Sequence, residues 1–135
     1  MWIDDQILSL YRQDFALKVF VPTSTLVVCG NGNDIQKEVD VEACQRANIP
    51  IEKRYGGGGT VVLYPGCVVV SMGCWVKDPF ANGQYFQMIN QGVISSLMES
   101  WPSINGVSQN GISDIVAGDK KIVGTSLFRS RRYLL

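Results

Sequence analysis

The sequence predicts an α+β fold whose mainly antiparallel or mixed sheet packs against helices, and three observations carry that expectation. Short β-branched runs outnumber helical segments, turn dipeptides separate them, and helices and strands do not alternate regularly. All 135 residues read as one domain, with no repeat and no linker.

Taken in order, Ile3, Ile7, Leu8, Tyr11 and Phe15 fall at helical spacing, and Asp4 and Asp5 occupy a first turn where the helix dipole favours acid. Residues 17–21 and 25–29 read as two strands around Pro22-Thr23-Ser24, and residues 30–33, Gly-Asn-Gly-Asn, as a loop. A helix over 41–47 follows, with Asp40 as N-cap and Asn48 at its end. Residues 49–55 form a strand running into Gly56, Gly57, Gly58 and Gly59, and strands at 60–64 and 68–72 flank the Pro65-Gly66 turn. The polar segment 77–83 leads to a helix over 85–100 that carries Phe86, Ile89, Val93, Leu97 and Trp101 on one face. Strands at 112–117 and 121–128 are joined by Gly118-Asp119, and Tyr133-Leu134-Leu135 closes the chain as an apolar strand. An unpaired apolar edge aggregates, so that ending predicts a domain incomplete at its C-terminus, covered by further chain, an accessory domain or a second copy in a homodimer.

Composition excludes several classes. With 46% hydrophobic and 18% charged residues the chain can bury a core and is not disordered. Twelve basic and twelve acidic side chains cancel, so no global field draws it to nucleic acid or to an anionic membrane. The most apolar stretch, 61–76, is interrupted by Pro65, Gly66 and Gly73 and is too short to span a bilayer. The acidic start is unlike a secretory signal, which predicts a cytoplasmic protein. Cys29, Cys44, Cys67 and Cys74 form no C-x-x-C pair and histidine is absent, which argues against structural zinc and excludes a nucleophile activated by a histidine of this chain.

Two segments carry chemistry. In Lys53-Arg54-Tyr55-Gly56-Gly57-Gly58-Gly59-Thr60, four glycines sit between apolar strands, where each costs up to about 1 kcal/mol relative to alanine. Main chain without side chains can lie flush on a ligand and turn its N–H groups toward an oxygen, with Arg54 as a cation for a carboxylate or phosphate. A mobile hairpin loop with a solvated arginine is the plainer alternative. No Gly-Lys-Ser/Thr follows, so this is not a Walker loop. The second segment runs from Ser113 to Gly124. On a strand, Lys120 and Lys121 point to opposite faces; Lys121 is expected to share the face of Val123, with Asp114 or a ligand as its anionic partner.

Together with residues 25–33, Glu38-Val39-Asp40, Cys44 and Asn48-Ile49-Pro50-Ile51, these segments resemble, over about residues 3–129, the lipoate–protein ligase A family. That family shares its catalytic domain with biotin protein ligases and octanoyltransferases. The resemblance implies two steps: ATP-dependent activation of lipoate or octanoate to an acyl-adenylate, then transfer to a lysine of a lipoyl acceptor domain. The acceptors implied are the lipoyl domains of 2-oxoacid dehydrogenase complexes or the glycine cleavage H protein. It places Arg54, Gly56, Gly57, Gly58, Gly59 and Thr60 around the acyl group, and Lys121 as the catalytic residue at the carboxyl and phosphate oxygens. Asp114 would stand by the nucleotide and its Mg²⁺, and Arg129 by the nucleotide. Val61, Val69 and Val123 are candidates to line an aliphatic chain. The sequence departs from the family pattern at Gly56, Leu63-Tyr64, Ser113 and Phe128, where the family carries serine, often His-Asp, asparagine and a basic residue. The alternatives are a non-catalytic homologue that binds an acyl ligand and a thioester-forming octanoyltransferase. The latter needs a C-terminal cysteine, whereas none follows Cys74 and Tyr133 stands near that place.

Overall fold

Alternating apolar residues in two distant segments produce the longest strand pairing among the described residues. In a computed structural model that describes residues 2–77 and 82–135, β1 (Phe15–Phe20) runs antiparallel to β5 (Val69–Trp75), from Phe15 opposite Cys74 to Phe20 opposite Val69. The chain forms two compact units, Met1–Lys77 with Phe128–Leu135, and Asp78–Leu127.

The first unit begins with α1 (Ile3–Leu8). The helix is shorter than the helical spacing of Tyr11 and Phe15 suggests: residues 9–14 turn, and Phe15 opens β1 instead. Phe15 enters a six-residue pairing with β5, because tertiary context overrides local helical spacing. The four-stranded sheet has the order β1, β5, β10 (Tyr133–Leu134), β9 (Arg129–Ser130). The C-terminal apolar run is therefore not an edge strand, as the sequence suggests. It lies between β5 and β9, with Tyr133 and Leu134 buried.

A second sheet places β2 (Leu26–Cys29) between β3 (Ile51–Lys53), parallel, and β4 (Val61–Leu63), antiparallel. All four residues of β2 are buried, and its side chains alternate between two cores as the period of a strand requires. Leu26 and Val28 join Trp2 and Ile3, whereas Val27 and Cys29 join Cys44. Over the second core lie α2 (Ile35–Glu38), absent from the sequence expectations, and α3 (Val41–Arg46). Asp40 caps α3 as expected, accepting from Ala43 N at 2.8 Å, and Asn48 ends it at φ 53°. The four cysteines are free thiols.

In the second unit, α4 (Asn82–Ser100) stands with a three-stranded antiparallel sheet of β6 (Val107–Asn110), β7 (Asp114–Ala117) and β8 (Lys120–Gly124). Of the segment expected to lead into α4, residues 78–81 lie outside the described residues. Phe86, Ile89, Val93 and Leu97 share the half-buried stripe of α4 around Asn90 and Ile94, but Trp101 lies past the helix end and is 59% exposed. The strands expected over 112–117 and 121–128 are shorter at their outer ends, leaving Ile112 exposed. None of the helices among the described residues is long and apolar enough to cross a membrane.

Candidate functional site

The parallel pairing of β2 with β3 sets Cys29 opposite Lys53, so the chain leaves both strands at the same end of the sheet. The loop after β2, residues 30–33, therefore runs beside Arg54 and the four glycines. Arg54 N continues the ladder, donating to Cys29 O at 3.0 Å. Each glycine carbonyl then accepts from the body of this unit. Asn31 N donates to Gly56 O at 3.0 Å, and Arg54 Nη2 donates to Gly57 O and to Gly59 O, both at 2.7 Å. Asn33 Nδ2 donates to Gly58 O at 3.1 Å. The loop is fastened to this unit at four carbonyls.

That fastening has a directional consequence. In a trans peptide the N–H points opposite the carbonyl, and the described residues contain no cis bond. With the carbonyls of Gly57, Gly58 and Gly59 turned onto Arg54 and Asn33, the N–H groups of Gly58, Gly59 and Thr60 face the other way. Gly58 sits at φ 91°, a conformation glycine adopts without strain. A Cβ on Gly57 or Gly59 would meet no atom within 4 Å beyond its chain neighbours, and Gly57, Gly58 and Gly59 are exposed.

Arg54 does more than the sequence reading assigns it. Its guanidinium braces the loop and also donates to Val28 O at 3.3 Å. Burial pushes its pKa below the ordinary arginine value, against the opposing pull of Asp4 and Cys29. Asp4, read from sequence as a helix-dipole acid, is a buried carboxylate that accepts from Ser71 Oγ at 2.8 Å and from Tyr55 N at 3.3 Å. The Tyr55 hydroxyl donates to Asp5 at 3.1 Å, and its ring packs on Phe128 with centroids 5.4 Å apart. Phe128 leads directly into Arg129, whose Nε and Nη1 are buried with no hydrogen-bond partner among the described residues. Two buried guanidinium nitrogens without a partner are costly and suit an anion.

The second unit holds Asp114 and Lys121, with Lys121 Nζ 2.9 Å from Asp114 Oδ1. The ion pair is as expected, but the face is not. The register runs Ile115 opposite Val123 and then Val116 opposite Lys121, skipping Ile122 as a β-bulge. One extra residue flips every side chain beyond it. Lys121 thus shares its face with Val116 and Asp114, and Val123 shares the other with buried Ile115. Gly124, opposite Asp114, makes room for the lysine: a Cβ there would meet Lys121 Cε at 3.2 Å and Nζ at 3.3 Å. Of the valines expected to line an acyl chain, Val69 packs on the first unit's core and Val61 is 41% exposed.

Gly30, Asn33 and Glu38 carry no site role in the sequence reading. The sequence carries no local signal for them, because it takes the parallel pairing of β2 with β3 to bring these two sequence-distant loops side by side.

A family model described as the lipoyl protein ligase A/B catalytic domain matches residues 2–135. Lipoate-protein ligase A subunit 1 of Thermoplasma acidophilum is 30% identical over 130 residues, which span 91% of this chain and 45% of that protein. Solved structures share the fold, two of them as follows. One, of a bipartite lipoate protein ligase and its E2 lipoyl domain from the same organism, matches with TM-score 0.83 at 21% identity, covering 95% of this chain and 51% of that one. The other, a lipoate-protein ligase A bound with ATP, matches with TM-score 0.79 at 24% identity, covering 95% and 56%. The chain spans about half the length of these relatives.

Proposed function

The chain belongs to the lipoyl protein ligase A/B catalytic-domain family, and from that premise we propose that it activates lipoate or octanoate with ATP. The product is an acyl-adenylate, whose acyl group passes to a lysine of a lipoyl acceptor domain such as those of 2-oxoacid dehydrogenase complexes or the glycine cleavage H protein. The observation that carries this reading is the loop of four glycines, its carbonyls fastened inward and the amides of Gly58, Gly59 and Thr60 directed away from them. Amides fixed before the ligand arrives stabilise charge on an oxygen without reorganising during the reaction.

In the first step a carboxylate oxygen of the acid attacks the α-phosphorus of ATP, and the bond to pyrophosphate breaks. In the second, the acceptor ε-amine attacks the acyl carbon, AMP leaves, and the amine gives up a proton. Both steps develop charge on oxygens and neither needs a protein nucleophile. The amides of Gly58, Gly59 and Thr60 would hold the acyl carboxyl. Lys121 would supply the catalytic ammonium, and Arg129 would meet the nucleotide through its buried Nε and Nη1. Arg54 and Gly56 would keep the loop in shape.

Among the described residues no three metal-ligating side chains cluster. Asp114, a single carboxylate 2.9 Å from Lys121 Nζ, would be the residue to hold a divalent ion. Mg²⁺ bound there would neutralise phosphate charge.

The test is lipoate-dependent release of pyrophosphate from MgATP, with calorimetric titration of lipoate alongside. Wild-type chain should release pyrophosphate, and Lys121→Ala should abolish release while retaining its circular dichroism spectrum. Unchanged release by Lys121→Ala would overturn the role of the lysine. Lipoate binding without release by the wild type would replace the ligase with a binding protein.

A further inference from the structure

Resting on that reading, we infer that Glu38 is a positioning residue for the acyl-activating loop. It sits at the last position of α2, a helix whose N-cap Asp34 accepts from Gln36 N at 3.1 Å. Its Oε2 accepts from Asn33 Nδ2 at 2.8 Å and from the Thr60 hydroxyl in a very short contact. Asn33 Nδ2 reaches onward to Gly58 O at 3.1 Å, and Lys53 Nζ holds Asn33 O at 3.3 Å. One carboxylate oxygen thus orients the two groups that close the C-terminal half of the glycine loop.

The chemistry suits a carboxylate. An ionised carboxylate only accepts, so it fixes both donors at once, orienting the amide of Asn33 and the hydroxyl hydrogen of Thr60. Both bonds are charge-assisted and hence stronger than neutral ones. Arg54 serves Gly57 and Gly59, and the carbonyl between them, that of Gly58, depends on Asn33. Without Glu38, Asn33 can turn away and release Gly58 O, and the peptide carrying the Gly59 N–H can then rotate. Glu38 is exposed at the surface, so its main effect falls on the loop and not on the core.

The experiment compares Glu38→Ala and Glu38→Gln with wild type in the full chain, by two readouts. The first is the NMR order parameter of the Gly58 and Gly59 amides without ligand. The second is the KM for lipoate against the KM for ATP in pyrophosphate release. Loss of one charged hydrogen bond at an exposed site corresponds to about tenfold. Glu38→Ala should lower both order parameters and raise the lipoate KM about tenfold. The ATP KM and the melting temperature should stay near wild type. Glu38→Gln, whose Oε1 still accepts, should recover most of the loss. Unchanged glycine order in Glu38→Ala, or a lipoate KM that shifts no more than the ATP KM, overturns the inference. Should the wild-type chain release no pyrophosphate, the proposed function fails, and the order of the Gly58 and Gly59 amides alone decides the role of Glu38.

Discussion

A Cβ atom on Gly30 would lie 2.1 Å from the carbonyl oxygen of Gly58. The end of β2 and the glycine loop touch backbone to backbone, and only hydrogen fits between them. Neither partner is a flexible side chain, so a substitution must move one of the two main chains.

Gly30→Ala should therefore destabilise the protein by about 1–3 kcal/mol, the range for overpacking a close contact. It should also impair lipoate-dependent pyrophosphate release more than its stability loss accounts for, because the displaced backbone is the loop itself. Gly32→Ala, where a Cβ meets nothing within 4 Å, is the control and should stay within about 0.5 kcal/mol of wild type. Urea unfolding of both variants measures the difference. Equal stabilities would mean that the loop yields freely.

Gly124→Ala should act on Lys121 without disturbing the fold. The atoms a Cβ would crowd belong to the far end of a flexible lysine, which can swing aside. Stability should change by less than about 1 kcal/mol, since the Lys121–Asp114 pair is half in water and exposed pairs contribute little. Pyrophosphate release should fall clearly, because the ammonium leaves its place beside Asp114. Activity equal to wild type would show that the position of the lysine is not critical.

Cys74 carries a thiol whose pKa burial pushes above the ordinary cysteine value. The thiolate is the reactive form, so alkylation by iodoacetamide at Cys74 should rise with pH later than in the urea-unfolded chain, as peptide mapping can follow. The same shift bears on stability. A raised folded-state pKa means that the neutral thiol is favoured in the fold, a contribution fully present below the unfolded pKa and lost as pH rises through the folded one. Tyr133 is also pushed up, first by burial and then by the Cys74 thiolate, and so acts in the same direction. Urea midpoints should fall on the alkaline side of the ordinary thiol range, and Cys74→Ala should flatten the first part of that fall.

Much of the local structure was legible because it rests on short-range chemistry. Asp40 caps α3, Gly66 and Gly118 turn at positive φ, and Leu26–Cys29 forms a strand, all within a few residues of the signals that announce them. The run of glycines beside Arg54 stood out for the same reason. What could not be read was pairing. The helical spacing at Tyr11 and Phe15 was overruled by a partner strand more than fifty residues away, and the apolar C-terminus became an inner strand because β9 folds back onto it.

The glycine segment, its neighbouring arginine and the Asp114-to-Lys121 ribbon belong to the order of residues alone, since each is a contiguous stretch with its own chemistry. Tertiary structure decided how they are aimed. The parallel alignment of β2 and β3 laid Gly30 and Asn33 against the loop, and the bulge at Ile122 carried Lys121 to the face of Asp114. The reason is physical: register and bulges are set by hydrogen bonding between strands, and one residue of slip reverses a side chain while leaving the pattern along the chain unchanged.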